Sequence, residues 1–549
     1  MNGAKVLLEC LKRENIDTLF GYPGGAVIPL YDALYDYKED FKHIRTAHEQ
    51  GLVHAADGYA RSTGKVGVCI TTSGPGATNA ITGIATAYMD STPMVVITGQ
   101  VPTSLLGKDS FQEIDITGAT LSMTKHSYLI RKVEQIPTVL KEAFKVCNTG
   151  RKGPVLIDIP KDLFIEELDF DPNEYIPYNR DDVETNYNYD TNEAVKLINS
   201  STKPVIYAGG GVKSCDGYKL LEEFAVKIDT PVVNTLMGLG SIDRDHKLSL
   251  GMVGMHGSKK SNLTLNNCDL VIAIGARFSD RVIGKSSEFA KNAKVIHIDI
   301  DPSEISKNIN VDVCINGNLR DVLKSLLYKV DAKSNDVWKE EIENYYLEEN
   351  VNDEEFHPKN IIKIVNEDLG KDCVAVTDVG QHQMWTAKYW NFTEGRTLIT
   401  SAGLGTMGFG LGAAIGAKLG NSKKNVILLT GDGSFRMNCN ELATISQYNI
   451  PIVIVLLNNQ SLGMVRQWQK LFSKERYSET DIECNVDYIA LGRAYNIDGF
   501  RVDSLGQLKE ALSNYRGDRA IIIQCDIKKD YDVYPIIPPN ETLDNLIYN

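Results

Sequence analysis

The chain has 549 residues, room for roughly three or four domains at ~100–200 residues each. Its 58 Lys and Arg stand against 72 Asp and Glu, a net charge of −14, which gives no electrostatic basis for general nucleic-acid binding. Apolar content of 43% and charged content of 24% exclude a globally disordered or collagen-like chain, and no apolar run approaches the ~20 residues of a membrane span.

Met1-Asn2-Gly3-Ala4-Lys5 leads into an amphipathic stretch rather than a secretory signal, so a cytoplasmic location is expected. Strand-like runs then follow at Val66–Thr72, Met94–Thr98, Val155–Ile159, Pro204–Ala208, Leu270–Ile274, Val295–Ile300, Val374–Thr377, Val426–Thr430, Ile452–Leu457 and Ala520–Cys525. Most are uninterrupted and β-branched, as suits strands buried on both faces of a parallel sheet. Helical stretches lie between many of them. The expected class is α/β, with open, mainly parallel sheets.

Two polar, charge-rich breaks, at about 169–190 and 332–358, read as linkers. They predict three domains, 1–168, 190–331 and 358–549. The ten cysteines contain no Cys-x-x-Cys pair, so buried reduced thiols are expected rather than disulfides or zinc.

The strongest chemical signal lies in the third block. The Val426–Thr430 run leads into Gly431-Asp432-Gly433-Ser434-Phe435, and Asn458-Asn459 closes the next strand. Carboxyl ends of adjacent parallel strands lie side by side, so Asp432 and Asn459 would offer two oxygen ligands to one Mg²⁺. Gly431 and Gly433 let backbone N–H groups approach a diphosphate, and a helix start after Ser434 favours anions. Gly-Asp-Gly alone is an ordinary strand-to-helix turn; the Asn-Asn at this spacing makes the signal specific.

This constellation resembles the diphosphate motif of thiamine-diphosphate-dependent enzymes. The resemblance implies a distant glutamate, and Glu49 stands in His43-Ile44-Arg45-Thr46-Ala47-His48-Glu49-Gln50-Gly51. Its implied role is a proton relay through N1′ of the aminopyrimidine to the thiazolium C2. Thr72-Ser73-Gly74-Pro75-Gly76-Ala77-Thr78-Asn79 resembles the aminopyrimidine wall, with Pro75 and Asn79 as contacts. Gly380-Gln381-His382-Gln383 resembles the loop holding the diphosphate. Gly403-Leu404-Gly405-Thr406-Met407-Gly408 resembles the segment supporting the bent cofactor through Met407, with Gly405 beside it.

Further strings narrow the resemblance to catalytic subunits of acetohydroxyacid synthase (acetolactate synthase), in the biosynthetic, FAD-containing branch. They include Phe20-Gly21-Tyr22-Pro23-Gly24-Gly25-Ala26, Phe111-Gln112-Glu113-Ile114-Asp115, Pro160-Lys161-Asp162, Asp280-Arg281-Val282 and Gly463-Met464-Val465-Arg466-Gln467-Trp468-Gln469. The likeness covers about residues 4 to 540. It implies pyrimidine-binding, central FAD-binding and diphosphate-binding domains. It also implies decarboxylation of pyruvate and joining to a second 2-keto acid, pyruvate or 2-ketobutyrate, in branched-chain amino-acid biosynthesis.

Carried over residue by residue, Gly25, Gln112 and Lys161 join Glu49 as catalytic candidates. Arg281 would grip the second substrate's carboxylate, Trp468 would pack on its extra methyl, and Phe111 would line the substrate site. Ser461 joins Asp432 and Asn459 as a metal ligand, and Met464 joins the thiamine-diphosphate contacts. The flavin set comprises Arg151, Gly209, Gly210, Gly211, Thr235, Leu236, Met255, His256, Gly275, Arg277, Asp280, Arg281, Asp299 and Asn318. Ser279 and Asn318 depart from the aspartates often found in relatives at those places. The implied assembly is a homodimer or dimer of dimers, because relatives hold the two cofactor ends on different subunits; a small regulatory subunit is a candidate partner. The tail from Tyr534 to Pro539 is a candidate lid. A flavin-free catabolic acetolactate synthase, or another thiamine-diphosphate-dependent 2-keto acid decarboxylase or oxidase, is the alternative.

Overall fold

The apolar runs become inner strands of the fold, because only a strand covered on both faces can be apolar throughout. The computed structural model of the chain describes residues 1–179, 189–347, 351–370, 372–482 and 486–548. The first sheet holds β1 (Thr18–Gly21), β2 (Lys42–Arg45), β3 (Gly67–Thr71), β4 (Met94–Gln100), β5 (His126–Leu129) and β6 (Pro154–Pro160), in the order β2-β1-β3-β4-β6-β5. The central sheet holds β7 (Pro204–Ala208), β8 (Val232–Asn234), β9 (Ser249–Met252), β10 (Leu270–Ile274), β11 (Lys294–Asp299) and β12 (Val313–Asn316), in the order β12-β11-β10-β7-β8-β9. The third holds β13 (Cys373–Thr377), β14 (Leu398–Ile399), β15 (Asn425–Gly431), β16 (Val453–Asn458), β17 (Asp498–Val502) and β18 (Ile521–Asp526), in the order β14-β13-β15-β16-β18-β17. Every neighbouring pair among these strands is parallel.

The second break is more than a spacer. Its helix Asp336–Glu343 buries Trp338 and Ile342 against the central domain, and the Trp338 indole N–H donates to the Pro204 carbonyl at 3.0 Å. In the first break, Tyr175 is buried and its hydroxyl donates to Glu14 at 2.7 Å. Residues 180–188 and 348–350, and Cys484, lie outside the described residues. Of the described cysteines, Cys314 is exposed and Cys215 and Cys439 are partly exposed, contrary to uniform burial.

The first and third domains share one apolar core. Its seam is the helix Glu49–Thr63 against the helix Phe409–Gly420. A Cβ on Gly58, Gly412 or Gly416 would overlap the facing backbone, so these backbones approach as only small residues permit. Arg396 fastens all three domains, donating to the Arg61 and Lys213 carbonyls at 3.1 and 3.0 Å and pairing with Asp216 at 2.8 Å. No described helix is long and apolar enough to cross a membrane.

Candidate functional site

One pocket lies at the carboxyl ends of β13, β15 and β16. Its lining includes Gly380, Gln381, His382, Met407, Gly431, Asp432, Gly433, Ser434, Asn459, Ser461 and Met464. Asp432 opens the helix Asp432–Asn438 and is buried. Burial pushes its carboxyl up to about 6, while backbone N–H groups, including that of Asn459, pull the other way. Asn459 accepts the Ser461 N–H through Oδ1 at 3.1 Å. His382 is buried with no partner on Nε2, and desolvation holds the ring neutral, its pKa lowered to about 3.

Other polar groups around the pocket are already engaged. The Gln381 amide donates to Gln467 at 3.1 Å and to the Tyr531 carbonyl at 3.0 Å, and its oxygen meets the Asn459 amide at 3.4 Å. Gln381 thus lines the pocket and also steadies the Asn459 amide at its edge. The Ser434 hydroxyl donates to the Val379 carbonyl at 2.9 Å, and that of Ser461 to the Thr480 carbonyl at 3.0 Å.

Asp378, which belongs to none of the motifs above, braces this wall. Its Oδ1 accepts the Gly408 and Gly410 N–H groups, both at 2.9 Å, and its Oδ2 accepts the Thr430 hydroxyl at 2.9 Å. A carboxylate directly after β13, at the ligand edge of a parallel sheet, was the available signal. The Met407 segment is also tied to the first domain. Asp90 accepts the Ala402 and Gly403 N–H groups at 3.0 and 2.7 Å, and Thr406 and Thr86 share a 2.7 Å hydroxyl contact. Gly405 is exposed.

A second cluster forms at the carboxyl ends of the first sheet. Glu49 begins its helix and accepts the Asn79 amide at 3.0 Å. Pro75 opens the helix Pro75–Asn79 beside it. Gln112, at φ 60°, backs onto the Gly74 turn. Gly25 is exposed with open space around it, and the Thr72 hydroxyl accepts the adjacent Ala26 N–H at 3.3 Å. Lys161 follows β6 half-buried, and Phe111 is 89% exposed. None of these residues lines the pocket of the third domain.

Arg281 and Trp468 meet: the guanidinium carbon lies 5.6 Å from the indole centroid. Trp468 sits on the helix Gly463–Phe472, whose first turn lines the pocket. The tail packs beside Arg281 on the central domain, with Ile536, Ile537 and Leu543 buried and the Ile537 N–H donating to the Met255 carbonyl at 2.9 Å.

In the central sheet the strand order reverses between β7 and β10, with β8 and β9 laid down on one side and β11 and β12 on the other. Gly209 and Gly211 lie against Gly275, itself at φ 58°, so tightly that a Cβ on any of them would strike backbone. These glycines are thus required by the crossing of two turns; Gly210 faces Met237. Asp299 ends β11, its carboxyl pushed up to about 6 by burial. Arg151 pairs with Glu304 at 3.0 Å, and the Arg277 carbonyl accepts the Asn308 amide at 3.1 Å. Thr235 caps the turn Leu236–Gly238. The Met255 N–H donates to the Arg281 carbonyl at 2.8 Å, and His256 has a buried Nδ1 without a partner. Asp280 is exposed. Ser279 and Asn318 are helix N-caps, accepting the Arg281 and Arg320 N–H groups at 3.3 and 3.0 Å. A cap needs a short side-chain acceptor, which Ser and Asn supply as Asp would.

Residues 1–119, 191–326 and 378–525 match the N-terminal TPP binding, central and C-terminal TPP binding domains of thiamine pyrophosphate enzymes. The chain is 45% identical to a probable acetolactate synthase large subunit of Methanococcus aeolicus, covering 100% of this chain and 95% of that one. It is 43% identical to the acetolactate synthase isozyme 2 large subunit of Escherichia coli, covering 98% of each. It is 44% identical to the acetolactate synthase large subunit of Lactococcus lactis, covering 100% and 96%.

Proposed function

The chain belongs to the acetolactate synthase large-subunit family of thiamine pyrophosphate enzymes, and from that premise we propose that it decarboxylates pyruvate and joins the remaining two carbons to a second 2-keto acid, pyruvate or 2-ketobutyrate. One observation carries the assignment of the site. A buried carboxylate, Asp432, and an amide, Asn459, stand at the ends of adjacent parallel strands beside the unpartnered Nε2 of His382.

That donor set fits a diphosphate held through a hard dication. Among the described residues no three His, Cys, Asp or Glu side chains gather as a metal site, so Mg²⁺ would lean on Asp432, Asn459 and Ser461 and complete its shell with phosphate oxygens and water. Bound thiamine diphosphate supplies the electron sink for decarboxylation. Gly380, His382, Gly431 and Gly433 would hold its diphosphate end, and Met407 and Met464, which line the same pocket, would support its middle. Glu49, steadied by Asn79, exchanges a proton at the aminopyrimidine N1′. The Gly25 N–H, in open space, donates to developing negative charge, with Gln112 beside it. Arg281 holds a carboxylate through its two-pronged fork, and Trp468 covers the extra methyl of 2-ketobutyrate.

The central domain fits a flavin dinucleotide at its switch point. The unpartnered Nδ1 of His256 and the buried Asp299 at a strand end are the supporting features. The reaction has no net redox change, so FAD would be structural. Glu49 lies outside the third domain's pocket, and Phe111 is left exposed beside its own cluster; both favour a second copy completing each site, in a homodimer or dimer of dimers. A cytoplasmic location belongs to the same reading.

The test is acetolactate formation from pyruvate with thiamine diphosphate and Mg²⁺, with and without FAD. Dependence on all three supports the biosynthetic branch. Full activity of flavin-free protein moves the chain to the catabolic one. No acetolactate despite bound thiamine diphosphate removes the substrate assignment.

A further inference from the structure

The turn ahead of Glu49 is gripped by the domain that carries Asp432. Glu441 lies nine positions after Asp432 and is fully buried just before the helix Leu442–Tyr448. Its Oε2 accepts the Ala47 N–H at 3.1 Å and its Oε1 the His48 N–H at 3.0 Å, while Thr444 donates to Oε2 at 2.6 Å. The same helix holds Arg45 twice. The Tyr448 hydroxyl accepts the Arg45 N–H at 2.9 Å, and Gln447 accepts its guanidinium at 2.8 Å.

Arg45, Ala47 and His48 are thus fastened at four points to one helix of the third domain and the residue that precedes it. Gly51 admits the carboxylate: a Cβ there would overlap Glu441 Oε1. An anion at this position also faces the positive end of the Glu49–Thr63 helix. Backbone N–H bonds to a carboxylate are among the stronger hydrogen bonds. Glu49 itself has only the Asn79 amide as a hydrogen-bonding side-chain partner among the described residues. Glu441 is not in the lining of the third domain's pocket.

We propose that Glu441 is a positioning residue, whose carboxylate fixes the turn from which Glu49 projects and so sets where the Glu49 carboxylate stands. The inference rests on the reading of Glu49 as the proton-exchanging group. Because Glu441 and Asp432 share a stretch of chain, the diphosphate loop and the Glu49 turn of one subunit are held in register.

Glu441→Gln tests it. The variant keeps the side-chain shape but sets an amide N–H against one of the two backbone N–H groups. Backbone amide exchange of the cofactor-free protein is measured over residues 45–50 and 430–440, together with kcat and KM for pyruvate with saturating cofactors. Exchange over 45–50 should quicken about tenfold or more, with 430–440 unchanged. The kcat should fall by about 10- to 100-fold, the scale of a displacement near 1 Å, with KM and thiamine-diphosphate affinity within about twofold. Glu441→Asp, which keeps both acceptors, should recover part of the kcat.

Unchanged kcat with a loosened 45–50 segment overturns the proposal, as does a loss expressed equally in thiamine-diphosphate affinity. If Glu441→Gln does not fold, Gly51→Ala, which displaces the carboxylate, must give the same split. Glu49→Gln is run beside it. Full activity of that variant would sink the reading of Glu49, while the exchange result still decides whether Glu441 holds the turn.

Discussion

Arg281 stands over the ring of Trp468, its guanidinium carbon 5.6 Å from the ring centroid. This cation–π contact joins the central domain to the helix whose first turn lines the third domain's pocket. It puts a guanidinium fork next to an apolar plate, the pairing on which the proposed holding of a 2-keto acid's carboxylate and short alkyl tail rests. Trp468→Leu should lower the preference for 2-ketobutyrate over pyruvate by about tenfold or more, since one methylene is worth ~1–3 kcal/mol. Product ratios from competing 2-keto acids would show it; an unchanged ratio would remove Trp468 from specificity.

Arg61 pins the first domain to the third. It takes both oxygens of Asp57 at 2.5 and 2.9 Å, Asp90 at 3.0 Å and the Thr400 carbonyl at 2.7 Å, all buried. Arg61→Met leaves two buried carboxylates without their cation and should cost about 3–5 kcal/mol in denaturant unfolding. A cost below about 1 kcal/mol would show that the pair is solvated in solution.

Asp158 gives the chain a pH-dependent stability term. Burial pushes its carboxyl up to about 7, against the opposing pull of the Thr98 hydroxyl at 2.6 Å and the Gln100 amide at 2.9 Å. Between about pH 4 and 7 the folded chain holds this proton while the unfolded chain has lost it. Stability therefore falls as pH rises through that window, by at most about 1.4 kcal/mol per unit. Asp158→Asn carries no charge, so its melting temperature should gain on the parent between about pH 5 and 8. Parallel melting curves at both pH values would contradict the assignment.

Much of the fold was legible in the sequence because burial writes itself into composition. The ten apolar runs are β3, β4, β6, β7, β10, β11, β13, β15, β16 and β18, ten of the twelve inner strands; the other two, β1 and β8, are buried but only four and three residues long. The strands not foreseen, such as β2, β5 and β14, lie toward the sheet margins and are short or half-exposed, so no apolar run announces them. At the site, motifs on one loop were readable: Gly431 to Ser434 and Asn459 are strings with a fixed spacing. Glu441 was not, and Asp378 showed only its place after a strand, because each acts on backbone N–H groups distant in sequence. Gly209 and Gly211 face Gly275 across crossing turns, a close approach of segments distant in sequence that no local string announces.

If each site is shared, inactive subunits should rescue one another. A Glu49→Gln chain mixed with an Asp432→Ala chain forms hybrids in which one of two sites is wholly intact. Random pairing should restore about a quarter of the wild-type rate. No recovery under conditions that exchange subunits would place Glu49 and Asp432 of a single chain in one site.

The measurement that bears most directly on the site is acetolactate formation from pyruvate by the wild-type chain, Asp432→Ala and Glu49→Gln, with Mg²⁺ and thiamine diphosphate titrated. The wild-type chain should form acetolactate only with both present. Asp432→Ala should lose cofactor affinity and rate together, and Glu49→Gln should bind the cofactor but lose about 100-fold or more in kcat. Full turnover by Asp432→Ala at the wild-type Mg²⁺ requirement would contradict the metal–diphosphate site, and with it the assignment of the reaction to this pocket.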